Sequence, residues 1–148
     1  MNSKILVDSC VFINAFQSDS AYRKASIAFL NSLLSKNQLI TMPAHGWFEV
    51  WCNLRRLSEV DRKYLAPIFQ GAMKYPVELI HIDLEFIKKY GNLDIPYTKA
   101  GDHIFIVVAF VNGYPLITWD IGMMKAAKEI GINVYTPDEY MTILNGST

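Results

Sequence analysis

The chain has 148 residues, 51% of them hydrophobic and 19% charged. That length can bury about two-thirds of the unfolded surface without disulfide or metal staples, and the composition excludes a disordered tail or a low-complexity array. The 14 basic side chains balance the 14 acidic ones, which excludes a uniformly basic coat and makes any nucleic-acid contact a local one.

Cys10 and Cys52 stand in no Cys-x-x-Cys spacing, which excludes a secreted disulfide framework and fits a reducing cytosol. The longest apolar run, Ile104 to Val111, is far short of a membrane span, and the N-terminus lacks a basic region followed by an apolar signal core. A single soluble, cytoplasmic domain over residues 1–148 is the expectation.

In chain order, KILVD reads as a strand ending on Asp8 that feeds SCVFINAF as a helix. Residues 21–35 are expected to form a second helix, with Asp19 or Ser20 as its cap and Ala25, Ala28, Phe29 and Leu33 on its apolar stripe. LITM reads as a second strand before Pro43. Over 44–57 the spacing predicts a helix with Trp47, Val50, Trp51 and Leu54 on one face, and His45, Glu49, Cys52 and Arg56 on the other. A helix over about 60–73 follows, then ELIHI as a third strand, Asp83 as a cap, and a loop from Asn92 to Pro96. DHIFIVVAFVN is apolar on nearly every side and is expected to be a buried helix from Asp102. LITW is the fourth strand, ending on Asp120. KAAKEI is a helix stopped by Gly131, INVY a fifth strand, and Thr136-Pro137-Asp138-Glu139 the start of a last helix. Alternating strands and helices predict an α/β layer sandwich on a mainly parallel sheet, whose sites lie beyond the strand carboxyl ends.

Most acids serve local needs: Asp19, Asp83 and Asp138 sit at helix starts, and Glu59, Asp61, Glu85 and Glu129 on solvated helix positions. Four do not. Asp8 and Asp120 end apolar strands, Asp102 begins the most apolar helix, and Glu49 lies opposite its helix's apolar stripe. If the strands of Asp8 and Asp120 are neighbours, a spacing of about 4.8 Å brings their carboxylates together. Such charges repel unless a cation intervenes, and oxygen ligands without His or Cys suit Mg²⁺ or Mn²⁺ rather than zinc.

These segments resemble the PIN domain, and most closely the VapC-like toxins of type II toxin-antitoxin systems. The resemblance is carried by ILVDSCVFI, WFEVWCNLRR, AGDHIFIVVAF and LITWDIGMMKAAKEIGINVYTPDEY, nearly the whole length. It implies a three-layer α/β/α fold with a five-stranded, mainly parallel sheet of order 3-2-1-4-5. It also implies that Asp8, Glu49, Asp102 and Asp120 are the catalytic, metal-binding quartet of a magnesium-dependent endoribonuclease (Mg²⁺ or Mn²⁺), with Ser9 and Thr118 as supporting hydroxyls. RNA is the implied substrate, cleaved to a 5′-phosphate and a 3′-hydroxyl; a homodimer and a cognate antitoxin protein are the implied partners. His103 after Asp102 departs from the family's usual small residue there.

Arg55, Arg56, Lys99 and Lys125 are the candidate substrate contacts, because an acidic crevice needs flanking cations before RNA can approach. A metal-free histidine nuclease needs two imidazoles on one phosphate, and the chain offers only His45, His81 and His103. A receiver-like phosphoacceptor wants a lysine at the end of the last strand, which INVYT lacks; Asp8-Ser9-Cys10 contradicts a DxD phosphatase. Cys10 and Cys52 read as small, at least partly buried residues rather than nucleophiles. The remaining alternative is a PIN-like module that binds RNA or protein without cleaving, against which the four clustered acids argue. Phe12, Phe16, Phe48, Trp51, Met73 and Met123 are expected in the core or in an exposed patch for a partner.

Overall fold

A computed structural model describes residues 3–56, 75–96 and 98–146. The element order is β1 (Ile5–Val7), α1 (Ser9–Phe16), α2 (Arg23–Ser35), β2 (Ile40–Pro43), α3 (Ala44–Leu54) and β3 (Val77–Ile80). It continues with α4 (Leu84–Tyr90), α5 (Ala100–Asn112), β4 (Leu116–Ile117), α6 (Ile121–Glu129), β5 (Val134–Tyr135) and α7 (Pro137–Gly146). The strands form one parallel sheet in the order β3-β2-β1-β4-β5, as expected. Strand order reverses between β1 and β4, and the crevice of such a sheet opens beyond the carboxyl ends there. The helix anticipated over 60–73 and Met73 lie outside the described residues.

The strands are short and apolar because helices cover them. All three residues of β1 and both of β4 are buried. β3 lies at the sheet's edge and keeps Glu78 and Leu79 exposed; Glu78 pairs with Lys4 at 2.9 Å. Phe12, Phe29 and Phe105 are fully buried, each contributing about 1.5–3 kcal/mol relative to exposure. Phe12 is met edge-on by Trp47 and Tyr75, with ring centroids 5.1 and 5.7 Å away. Helix α3 reaches α5 through Gly46, where a Cβ would stand 2.5 Å from Phe105 Cζ. A side chain there would force apart the two helices that carry Glu49 and Asp102.

Local chemistry accounts for several helix ends. Asp83 accepts from Phe86 N at 2.8 Å, and Thr136 and Glu139 exchange side-chain-to-backbone bonds of 3.2 and 2.8 Å as a capping box. Gly113 closes α5 in the left-handed region with φ 66°. The start of α2 differs from expectation. Tyr22 is its cap residue and no side chain caps it, because Ser20 Oγ instead donates to Asn14 Oδ1 at 2.6 Å and accepts from Tyr22 N at 3.1 Å. Its buried stripe is Ser26, Phe29, Leu30 and Leu33, while Ala28 is exposed; the larger side chains take the core and rotate the helix away from the alanines. Helix α6 begins at Ile121, four residues before KAAKEI, because Asp120 is already its cap. In α5 the buried run is Phe105–Ala109 and Phe110 is exposed. Cys52 is exposed rather than partly buried. Of the apolar side chains left unplaced by the sequence, Phe12 and Met123 are buried, Phe16 and Trp51 pack against the core, and Phe48 is 68% exposed.

Candidate functional site

Asp8 directly follows β1, and the pairing of Val7 with Ile117 sets Thr118 opposite it. That register explains the closest contact of the site: Thr118 Oγ1 donates to Asp8 Oδ2 at 2.7 Å. Asp120 lies two residues further on. The carboxylate facing Asp8 across the strands is therefore not that of Asp120, as the sequence suggested; Asp120 caps α6, its Oδ1 accepting from Met123 N at 2.9 Å. The Thr118 hydroxyl joins the two acids, since it also accepts from Asp120 N at 2.9 Å.

Asp8 is only 4% exposed. Cys10 Sγ donates to its Oδ2 at 3.0 Å, and Ser9 Oγ stands 3.3 Å from its Oδ1. Ser9 lies nearer to Glu49 Oε2, at 2.9 Å. A hydroxyl has one proton to give, so the shorter contact is the stronger bond and Ser9 links α1 to the acid of α3. Burial pushes the Asp8 carboxyl above its ordinary value; the donors from Cys10, Thr118 and Ser9 oppose that, and the nearby Asp120 charge adds to it. Burial, followed by the Asp8 charge, likewise raises the Cys10 thiol. That keeps the thiol protonated and makes it a donor, not a nucleophile.

Asp102 occupies the first turn of α5. Its carboxyl is raised first by burial, then by the charges of Asp8, Asp120 and Glu49, while Lys99 opposes the shift. One carboxyl thus feels the other three, from four separate elements, at the carboxyl edge of the sheet. A second tie fixes the α3–α5 arrangement. His45 Nε2 stands 3.1 Å from the Gly101 carbonyl oxygen, and the ring meets Phe105 edge-on with centroids 5.4 Å apart. Among the described residues the buried His45 Nδ1 meets no partner, so a ring proton on Nε2, donating to Gly101, leaves no buried N–H unsatisfied. A Cβ on Gly101 would stand 3.2 Å from Glu49 Oε1. The sequence placed His45 on the Glu49 face of its helix, but its partner on a distant helix was beyond the reach of spacing.

Asp102 and Asp120 line a groove of about 490 Å³ together with Thr98, Lys99, Gly122 and Lys125. Lys99 and Lys125 therefore share the groove with Asp102 and Asp120. Arg55 and Arg56 are exposed beyond the end of α3, six and seven residues past Glu49, about 10 Å along the helix axis. His81 lies exposed just past β3, and His103 Nδ1 contacts Thr98 Oγ1 at 3.4 Å.

The donor set is all oxygen, and burial with the neighbouring negative charges raises two of its carboxyls, Asp8 and Asp102, above their ordinary value, a repulsion that a hard divalent cation relieves. Among the described residues, no three His, Cys, Asp or Glu side chains already stand as a direct metal cage. Mg²⁺ commonly binds through one or two carboxylates while keeping several waters, and this arrangement fits that mode.

The PIN domain family profile matches residues 5–129, and the chain belongs to that family. No curated protein matches the sequence. Among solved structures, the chain is similar to VapC20 of Mycobacterium tuberculosis, a sarcin-ricin-loop-cleaving toxin, at 13% identity and TM-score 0.59, covering 82% of this chain and 94% of that one. It is similar to VapBC2 of Rickettsia felis, bound to a DNA fragment from its promoter, at 12% identity and TM-score 0.60, covering 90% and 98%. It is also similar to FitAcB of Neisseria gonorrhoeae at 18% identity and TM-score 0.61, covering 90% and 97%. Identities this low speak for the fold. Among the described residues, no helix is long and apolar enough to cross a membrane.

Proposed function

We propose that the chain is a single-domain, metal-dependent endoribonuclease and the toxin of a toxin-antitoxin pair, acting in the cytoplasm. The observation that carries the chemistry is the meeting of acids at one edge of the sheet: Thr118 bonds both Asp8 and Asp120, Ser9 lies between Asp8 and Glu49, and Asp102 shares a groove with Asp120. Toxin-antitoxin proteins among the similar structures support the biological role, with a cognate antitoxin and a second copy of the chain as partners.

In this reading Asp8, Glu49, Asp102 and Asp120 hold Mg²⁺ or Mn²⁺. Bound there, such an ion would supply an acidified water and offset charge on the scissile phosphate. Thr118 and Cys10 fix Asp8 Oδ2, Ser9 fixes Glu49, and His45 keeps the Glu49 and Asp102 helices in register. Asp120 is exposed, and among the described residues its side chain accepts from Met123 N through Oδ1 alone. That leaves its second oxygen open to take the attacking water's proton. Lys99 and Lys125, on the groove wall, attract the phosphates of the strand. None of these steps needs the ribose 2′-OH, so RNA specificity must come from binding.

The test is incubation with total RNA in Mg²⁺, in chelator, and as Asp8→Asn in Mg²⁺. Defined fragments in the first tube alone support the reading; the same fragments in all three exclude it.

A further inference from the structure

Trp119 lies between Thr118 and Asp120, and its backbone N–H reaches Cys10 Sγ at 3.4 Å. Its backbone thus belongs to the network that holds Asp8. The indole turns from the carboxylates towards α2, where Nε1 donates to the buried Ser26 hydroxyl at 2.9 Å. Tyr22 lies almost flat on it, with ring centroids 4.6 Å apart and planes inclined by 25°. Trp119 is half-buried and anchored, whereas Tyr22 is 48% exposed. One face of the tyrosine ring is taken by the indole and much of the rest is open to water. The next two residues, Arg23 and Lys24, are exposed cations at the start of α2.

We propose that the Tyr22–Trp119 stack is a nucleobase platform. The open face of Tyr22 receives one unpaired base of the strand whose backbone crosses the acidic groove, and Arg23 and Lys24 lie beside the adjoining phosphates. This rests on the nuclease reading above. Every base has a π-face, so an anchored aromatic ring binds single strands with little regard to sequence, whereas paired bases are already stacked on their neighbours. The lysines that share the groove with the carboxylates come from Lys99 and α6, while the platform stands on α2. A strand leaving the carboxylates along Trp119, the residue before Asp120, therefore reaches a stacking surface with cations of its own, Arg23 and Lys24. The platform selects unpaired RNA, a preference the metal chemistry does not supply.

The test compares the wild-type chain with Tyr22→Ala and Tyr22→Phe, titrated in Ca²⁺ with three labelled RNAs and followed by anisotropy. The probes are an unstructured 12-nucleotide strand, the same strand with abasic sites throughout, and a 12-base-pair duplex. Loss of one base-aromatic stack, about 1–3 kcal/mol, weakens binding roughly 5- to 150-fold. Tyr22→Ala is expected to fall in that range on the base-bearing single strand, and to match wild type on the abasic strand and the duplex. Tyr22→Phe keeps the ring and stays within about twofold on every probe. Equal weakening of Tyr22→Ala on the abasic strand, or no weakening on the base-bearing one, overturns the platform. A parallel Mg²⁺ cleavage assay on wild type separates the two claims. Cleavage without the Tyr22 effect sinks the platform alone, whereas absence of both cleavage and RNA binding sinks the nuclease reading and the platform with it.

Discussion

Asp8 and Asp120 follow neighbouring strands and carry the same side chain, yet the fold treats them oppositely. Asp8 is buried and surrounded by donors from Thr118, Cys10 and Ser9. Asp120 is exposed, caps α6 and keeps one oxygen open. The difference follows from register. The residue facing Asp8 is Thr118, and the chain leaves β4 before it reaches Asp120. A fixed carboxylate suits holding an ion; an open one suits exchanging a proton.

The sharpest way to break the comparison is to neutralise each acid in turn. Asp8→Asn should lose cleavage to background and also lower stability, because an amide NH₂ now confronts protein donors. Asp120→Asn should lose cleavage by about 10²- to 10⁴-fold and melt like wild type, since Asn caps a helix as well as Asp does. Activity assays alongside thermal melts read both. Equal destabilisation by the two substitutions would contradict the contrast.

Thr118→Val removes the hydroxyl that joins the pair. We expect a loss of about 1–3 kcal/mol in denaturant unfolding, since the buried Asp8 Oδ2 loses its shorter donor and keeps only the weaker Cys10 thiol, and about 10- to 100-fold weaker Mn²⁺ binding. Thr118→Ser should restore most of both. Unchanged Mn²⁺ affinity in Thr118→Val would show that the hydroxyl serves packing only.

The pH dependence comes next. Asp8 and Asp102 both titrate above the ordinary 3.8, through burial first and like charge second. Folding therefore favours their protonated forms. That contribution is complete below about pH 3.8 and lost as pH rises through the raised values. In chelator at pH 7, Asp102→Asn should melt above wild type, and the gap should close near pH 3.5 or on adding Mn²⁺, which relieves the same repulsion. A gap that ignores both would place its origin elsewhere.

The smallest effects belong to the rim. Lys99→Ala and Lys125→Ala should each reduce the salt slope of RNA binding by about 1. Arg55→Ala and Arg56→Ala should change it less, being about 10 Å along α3 from Glu49.

Much of this was legible in the sequence. The strand-end position of Asp8, the Thr136–Glu139 capping box and the Asp83 cap follow from local chemistry, and the structure carries all three. The parallel sheet follows from the alternation of elements, and its order followed from the family resemblance. What escaped depends on contacts between segments far apart in the chain. Cys10 read as a small space-filler, yet its thiol donates to Asp8. His45 showed its helical face but not Gly101, 56 residues away. The start of α2 was misread because Ser20 bonds Asn14 across a turn, a competition between polar groups that composition does not rank. Trp119 offered no sign that its indole would settle on Ser26 beneath Tyr22.

The central claim is that acids on four elements act on one divalent ion, and Mn²⁺ titration followed by electron paramagnetic resonance tests it without any substrate. The account predicts saturable binding by the wild-type chain, at least about tenfold weaker in Asp8→Asn and in Asp102→Asn, and unchanged in Asp19→Asn, whose acid is exposed in the loop before α2. Identical Mn²⁺ binding by all four proteins would contradict it.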